Sequence, residues 1–259
     1  MPFVRLGEGM IHYLLEGPAG APVLMFSNSL GTNYAMWDGQ AIELQKKFRI
    51  VRYDTRGHGE SAVTPGPYSI EQLAKDVLGL LDELHLDPVH FCGLSMGGMI
   101  GMWLGANAPH RLNKLVLCNT AAKIGTAETW NSRIEAVRKG GMKAIASAVI
   151  ERWLTAEFRK KDPVAVASTL KILEQTNPEG YAACCAAVRD FDYRDELGKI
   201  RVSTQVISGT HDPATPAADG RYLAEQIPSA RFAALNAAHL SNIEERDRFN
   251  HEVTAFLNA

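Results

Sequence analysis

The sequence predicts one α/β domain, a mostly parallel sheet covered by helices, with a helical segment inserted over residues 122–190. Three observations carry this. Short apolar runs bounded by Gly, Pro, Asn or Asp recur along the chain, helical patterns fill the spaces between them, and the alternation stops near Ala122 and resumes near Arg201. Short continuous apolar runs are how strands buried on both faces read, and such strands belong to parallel sheets.

In chain order, residues 4–6 and 10–15 flank Gly7 and Gly9 and predict a β-hairpin. Strands follow at 22–26, 48–53, 89–92, 115–118, 204–208 and 231–235. Ile70, Leu73, Ala74, Val77, Leu80, Leu81 and Leu84 follow a 3.6-residue spacing, and Ser69 with Gln72 reads as a capping box. Gly97, Gly101 and Gly105 share one face of the next helix, which predicts close packing of that helix on the sheet. Phe249, Val253, Phe256 and Leu257 form the apolar stripe of a terminal helix. The core is therefore assigned to 1–121 and 191–259, and 122–190 to a helical cap with Trp130, Ile134, Val137, Val149, Ile150 and Trp153 among its apolar positions.

With 259 residues, 46% hydrophobic and 22% charged, the chain is long enough for a sizeable core without crosslinks. A net charge of −2 excludes nucleic-acid or anionic-membrane binding through bulk charge. No apolar run reaches the roughly 18 residues a membrane span needs, and the N-terminus lacks the basic and apolar regions of a signal peptide, so a cytoplasmic location is expected. The four cysteines show no C-x-x-C or Cys/His spacing, so free buried thiols and no metal are expected.

Val89-His90-Phe91-Cys92 runs into Gly93-Leu94-Ser95-Met96-Gly97 and then a helix. This is G-x-S-x-G in its strand–turn–helix setting, a tight turn that lifts a serine hydroxyl above the strand end. A serine is a weak nucleophile without a base, so a histidine and an orienting carboxylate are needed. In this setting they follow in the order acid, then histidine, at the carboxyl ends of strands. The run 204–208 leads to Asp212, and 231–235 leads to His239. His211 precedes the acid, His251 lies in the terminal helix, and His58 belongs to a tight glycine loop. The oxyanion donors are expected at the backbone N–H of Met96 and, after 22–26, of Leu30.

With Asp54-x-Arg56-Gly57-x-Gly59-x-Ser61, these motifs resemble the α/β-hydrolase superfamily with a helical cap, over essentially the whole chain. Ser27-Asn28-Ser29-Leu30-Gly31-Thr32 with Trp37, and Gly93-Leu94-Ser95-Met96-Gly97-Gly98-Met99-Ile100-Gly101, are similar to the 3-oxoadipate enol-lactone hydrolases. Asn28-Ser29 replaces the His-Gly that many members of the superfamily carry there. The resemblance implies attack of Ser95 on an enol-lactone, an acyl-enzyme, no cofactor, and a small-molecule substrate bearing a carboxylate. The cap is basic, with 11 basic and 8 acidic residues over 121–190 against 16 and 21 elsewhere. Its candidates for that carboxylate are Arg133, Arg138, Arg152, Arg159 and Arg189, and Arg133, three residues after Trp130, is favoured. A carboxylesterase, a perhydrolase, a C–C bond hydrolase and a hydrolase-fold ligand receptor share the triad and stay open at this point.

Overall fold

A computed structural model describes residues 2–259. The strands are β1 (Phe3–Leu6), β2 (Gly9–Glu16), β3 (Val23–Ser27), β4 (Arg49–Tyr53), β5 (Val89–Leu94), β6 (Leu112–Cys118), β7 (Thr204–Gly209) and β8 (Arg231–Leu235). They form one sheet in the order 1-2-4-3-5-6-7-8. β1 and β2 make the expected hairpin, β2 pairs antiparallel with β4, and the rest are parallel. Every run predicted as a strand is one.

The helices explain the parallel pairing, because each crossover needs a covering element. They are α1 (Asp38–Leu44), α2 (Ile70–Glu83) and α3 (Met96–Asn107), then α4 (Ala127–Gly140), α5 (Lys143–Trp153), α6 (Ala156–Lys161), α7 (Pro163–Gln175) and α8 (Pro178–Asp190), and finally α9 (Ala217–Gln226), α10 (Ser241–Glu244) and α11 (Arg246–Asn258). Ser69 caps α2 by accepting the Gln72 N–H at 3.1 Å, which is half of the predicted box. The α3 glycines do pack on the sheet: a Cβ on Gly101 would stand 3.1 Å from Leu115 and Leu117, and one on Gly105 3.1 Å from Ile200. Helices α1 and α9 escape the sequence patterns because their apolar stripes are thin; α9 buries only Gly220 and Leu223.

Five helices, α4 to α8, stand between β6 and β7, with Thr126, Thr155, Asp162 and Asn177 side chains capping four of them. Helix α8 is buried from Gly180 to Val188. The four cysteines are buried free thiols. Among the described residues, no helix is long and apolar enough to cross a membrane, and no cluster of His, Cys, Asp and Glu is arranged to hold a metal ion.

The strand order positions the site. From β3 the chain moves one way to β4 and then crosses back to β5 on the other side of β3. Loops leaving β3 and β5 therefore diverge, and the crevice between them at the strands' carboxyl ends is where such sheets bind ligands.

Candidate active site

Ser95 follows β5 with φ 57° and ψ −113°, a conformation that side chains other than glycine rarely adopt. The glycines around it are required by contact. A Cβ on Gly93 would fall 2.1 Å from the Gly97 carbonyl oxygen, and one on Gly97 2.2 Å from that of Ser27. The elbow is pinned by Ser95 N–H to the Cys118 carbonyl at 2.9 Å and by Thr120 Oγ1 to the Ser95 carbonyl at 2.8 Å. Both bonds come from β6 and the residues just past it.

Asp212 and His239 leave β7 and β8 and meet, with His239 Nδ1 2.8 Å from Asp212 Oδ2. The carboxylate also accepts from Thr215 Oγ1 at 2.6 Å, Asn119 Nδ2 at 3.0 Å and the Ala214 and Thr215 amides at 2.8 and 3.1 Å. Burial raises its pKa, but the imidazole and the hydrogen bonds from His239, Thr215 and Asn119 outweigh that and hold it at about 2. An ionised acceptor at Nδ1 requires Nδ1 to carry the proton, which leaves the Nε2 lone pair free. His239 and Ser95 face the same cavity, although no hydrogen bond joins them among the described residues. Apo sites often tighten such contacts only when substrate binds.

That cavity, of about 210 Å³, is floored by Ser29, Leu30, Ser95 and His239. Neither the Leu30 nor the Met96 N–H is taken up by an acceptor among the described residues. Gly97 N–H to the Asn28 carbonyl at 3.0 Å locks the two loops together. Asn28, in the place of the usual histidine, is tied on both sides: its amide donates to the Tyr53 carbonyl at 2.6 Å and accepts from Trp37 Nε1 at 2.9 Å.

The walls come from the helical insertion: Trp130 and Arg133 from α4, Val149, Arg152 and Trp153 from α5, Tyr181 and Val188 from α8. Arg133 and Trp130 both line the cavity, with the guanidinium 4.8 Å from the ring centroid. Arg152 stands there too. Burial and the neighbouring Arg133 both lower its pKa. Neither of the two arginines pairs with a carboxylate among the described residues, whereas Arg189 is joined to Asp190 and Arg138 to Glu179 at the surface. Arg159 stays outside.

Of the eight histidines only His239 lines this cavity. His12 is buried against Asp54 at 2.8 Å, His211 faces Asn236 at the surface, and His251 is exposed on α11. His58 is buried in the glycine loop, where its Nε2 accepts the Gly31 N–H at 2.9 Å. Sequence reasoning missed Asn119, which sits just past β6, holds Asp212 and donates to the Ala238 carbonyl at 3.1 Å. The rule that found Asp212 and His239, a polar residue at a strand's carboxyl end, also marks it. It missed Glu244 as well, which accepts from the Ala238 amide at 2.5 Å and from the Thr155 amide and hydroxyl at 2.8 and 2.6 Å, tying the His239 loop to the insertion. No sequence pattern marks that carboxylate.

Comparison with known proteins adds to this geometry. A family model of the alpha/beta hydrolase fold matches residues 22–142. The 3-oxoadipate enol-lactonase 2 of Acinetobacter baylyi is 44% identical over 247 residues, covering 95% of this chain and 92% of that protein. The crystal structure of the enol-lactonase from Burkholderia xenovorans superposes over 100% of both chains with a TM-score of 0.98 at 46% identity. A thermophilic esterase from Thermogutta terrifontis superposes with a TM-score of 0.92 at 29% identity, over 98% of this chain and 95% of its own.

Proposed function

This chain belongs to the α/β-hydrolase fold family, among the enol-lactonases, and from that premise we propose that it hydrolyses 3-oxoadipate enol-lactone to 3-oxoadipate in the breakdown of aromatic compounds. Nε2 of His239 takes the Ser95 proton as Oγ attacks the lactone carbonyl. The developing oxyanion accepts from the Leu30 and Met96 N–H groups, the latter at the N-terminus of α3, where negative charge is favoured. Collapse breaks the ring C–O bond and opens the ring, leaving the acyl group on Ser95. The departing enolate takes its proton from His239 and becomes a ketone. A water deprotonated by His239 then attacks the ester, and collapse returns the proton to Ser95 and frees the carboxylate. Asp212, kept ionised, holds the tautomer and stabilises the imidazolium. In this reading residues 122–190 act as a lid on a core formed by 1–121 and 191–259.

The observation that carries the substrate assignment is the pair of guanidiniums, Arg133 and Arg152, without acid partners among the described residues, in the wall of a cavity floored by Ser95. Charge left unpaired beside a small cavity suits a substrate that brings its own carboxylate. The test is turnover of the enol-lactone, followed by loss of its ultraviolet absorbance and by identification of 3-oxoadipate. Wild type is expected to turn it over, and Ser95→Ala to lose a factor on the order of 10³ or more with the fold unchanged. Hydrolysis of neutral aryl esters with no turnover of the lactone would instead favour a carboxylesterase.

A further inference from the structure

His58 lies outside the cavity and takes no part in the proton transfers described above, yet its ring sits behind the loop that carries the Leu30 amide. The two peptide planes flanking Leu30 are each held by one partner. The Ser29 carbonyl, in the same peptide as the Leu30 N–H, accepts from Thr32 Oγ1 at 2.7 Å and from the Thr32 amide at 3.2 Å. In a trans peptide the N–H points opposite to the C=O, so pinning Ser29 leaves the Leu30 N–H directed away from Thr32. Among the described residues, the next peptide is held only through Gly31 N–H, which donates to His58 Nε2 at 2.9 Å.

His58 Nε2 is the one acceptor that the Gly31 N–H meets among the described residues. Gly31 has φ +83°, and the atoms nearest its would-be side chain are carbons: Leu173 Cδ1 at 2.9 Å, Tyr181 Cε2 at 3.0 Å and Trp153 Cη2 at 3.5 Å. A buried N–H without an acceptor costs free energy, and a peptide rotates to avoid it. Rotation of the Leu30–Gly31 peptide changes ψ of Leu30 and with it the loop that presents the Leu30 amide.

His58 is built to stay an acceptor. Since Nε2 accepts, Nδ1 carries the proton, and it faces the Arg56 carbonyl at 3.4 Å with Cys184 Sγ at 3.9 Å. Burial drives the ring toward neutrality, to a pKa of about 4, against smaller opposing effects of the Arg56 carbonyl and Asp54. Its loop is seated directly on α8: a Cβ on Gly57 would fall 2.8 Å from Gly180 Cα, and one on Gly180 2.2 Å from the Gly57 oxygen. Backbone therefore meets backbone there, and the loop that carries the ring cannot move toward the helix without displacing it.

We propose that His58 is a positioning residue for the oxyanion loop: its Nε2 lone pair holds Gly31 N–H, which fixes the orientation of the Leu30 N–H toward the reacting carbonyl. This rests on the assignment of Ser95 as nucleophile. The role predicts a loss in kcat rather than in KM, because an oxyanion donor acts mainly on the transition state.

The experiment compares His58→Leu, His58→Asn and His58→Gln with wild type on p-nitrophenyl acetate and on the enol-lactone. A glutamine amide oxygen reaches the level of Nε2 and can accept from Gly31; leucine has no acceptor, and asparagine ends too short. Expected are a fall in kcat on the order of 50-fold for His58→Leu and His58→Asn, with KM within about twofold, and recovery by His58→Gln to within about threefold of wild type. Should His58→Leu fail to fold, the Asn and Gln pair decides the matter. Undiminished kcat in the Leu or Asn variant, an effect on KM alone, or equal losses in the Asn and Gln variants would overturn the role. Wild-type hydrolysis of the ester without the lactone would retire the substrate assignment and leave His58 testable on the ester. Ester hydrolysis surviving in Ser95→Ala would retire the nucleophile and this proposal together.

Discussion

At the rim of the sheet the charged group, Asp212, is met by the protein's own donors, whereas the two cations that the helical insertion turns toward the same cavity find no carboxylate among the described residues. Asp212 accepts from His239, Thr215, Asn119 and the Ala214 amide, and Gly93 and Gly97 meet backbone where any side chain would stand. Arg133 and Arg152, in the wall of the same cavity as Ser95 and His239, pair with no carboxylate among the described residues. The acid of the rim is paired without ligand and the bases of the wall are not. Reactivity is thus set by backbone packing that tolerates almost no substitution, and selectivity by side chains on helices that can be exchanged without touching the elbow.

The largest effect expected of that division is at the arginines. Arg152→Ala and Arg133→Ala should each lower kcat/KM for an anionic lactone by on the order of 10²-fold while changing hydrolysis of a neutral ester by less than about threefold. Steady-state kinetics on both substrates check this, and equal losses on both would erase the distinction between wall and rim. A smaller effect is expected on the rim side. Asn119→Ala removes a hydrogen bond to the Asp212 carboxylate and another to the Ala238 carbonyl, and should cost about tenfold in kcat for both substrate classes alike. A loss confined to the anionic substrate would place Asn119 with the wall instead.

The smallest effect is on stability against pH. His58 titrates near 6.5 when unfolded but at about 4 when folded, so between those values the unfolded chain binds a proton that the native one refuses. Its contribution is complete above pH 6.5 and declines as the pH falls toward 4, by about 1 kcal/mol for each pH step. Asp212 has the opposite chemistry and the same direction: lowered to about 2, it contributes fully above its ordinary 3.8, and that is lost as the pH falls through 2. Thermal melts from pH 7 to 4 should show Tm falling in wild type and falling less in His58→Gln. Parallel slopes would mean that His58 does not titrate with unfolding.

What was legible in the sequence follows the same division. The strands and the G-x-S-x-G elbow are written as contiguous runs and short motifs, because backbone contact at Gly93 and Gly97 dictates residue type locally. Asp212 and His239 were reachable from chain order and strand ends, and the structure brings them together at 2.8 Å. Arg133 and Trp130 were reachable as neighbours on one helical face. Arg152 sits on a different helix, and which of the five candidate arginines turn inward depends on how α4, α5 and α8 pack, which no local pattern encodes. The Gly31–His58 bond joins residues 27 apart in loops without periodicity, and Glu244 reaches Thr155 across 89 residues, so neither left a sequence signal.

The most direct measurement compares kcat/KM of the wild-type protein on 3-oxoadipate enol-lactone with that on the methyl ester of the same lactone, which differs only in the masked carboxylate. With two unpaired guanidiniums beside Ser95, the free acid should be preferred by on the order of 10²-fold. A methyl ester hydrolysed as fast as the acid would contradict the account.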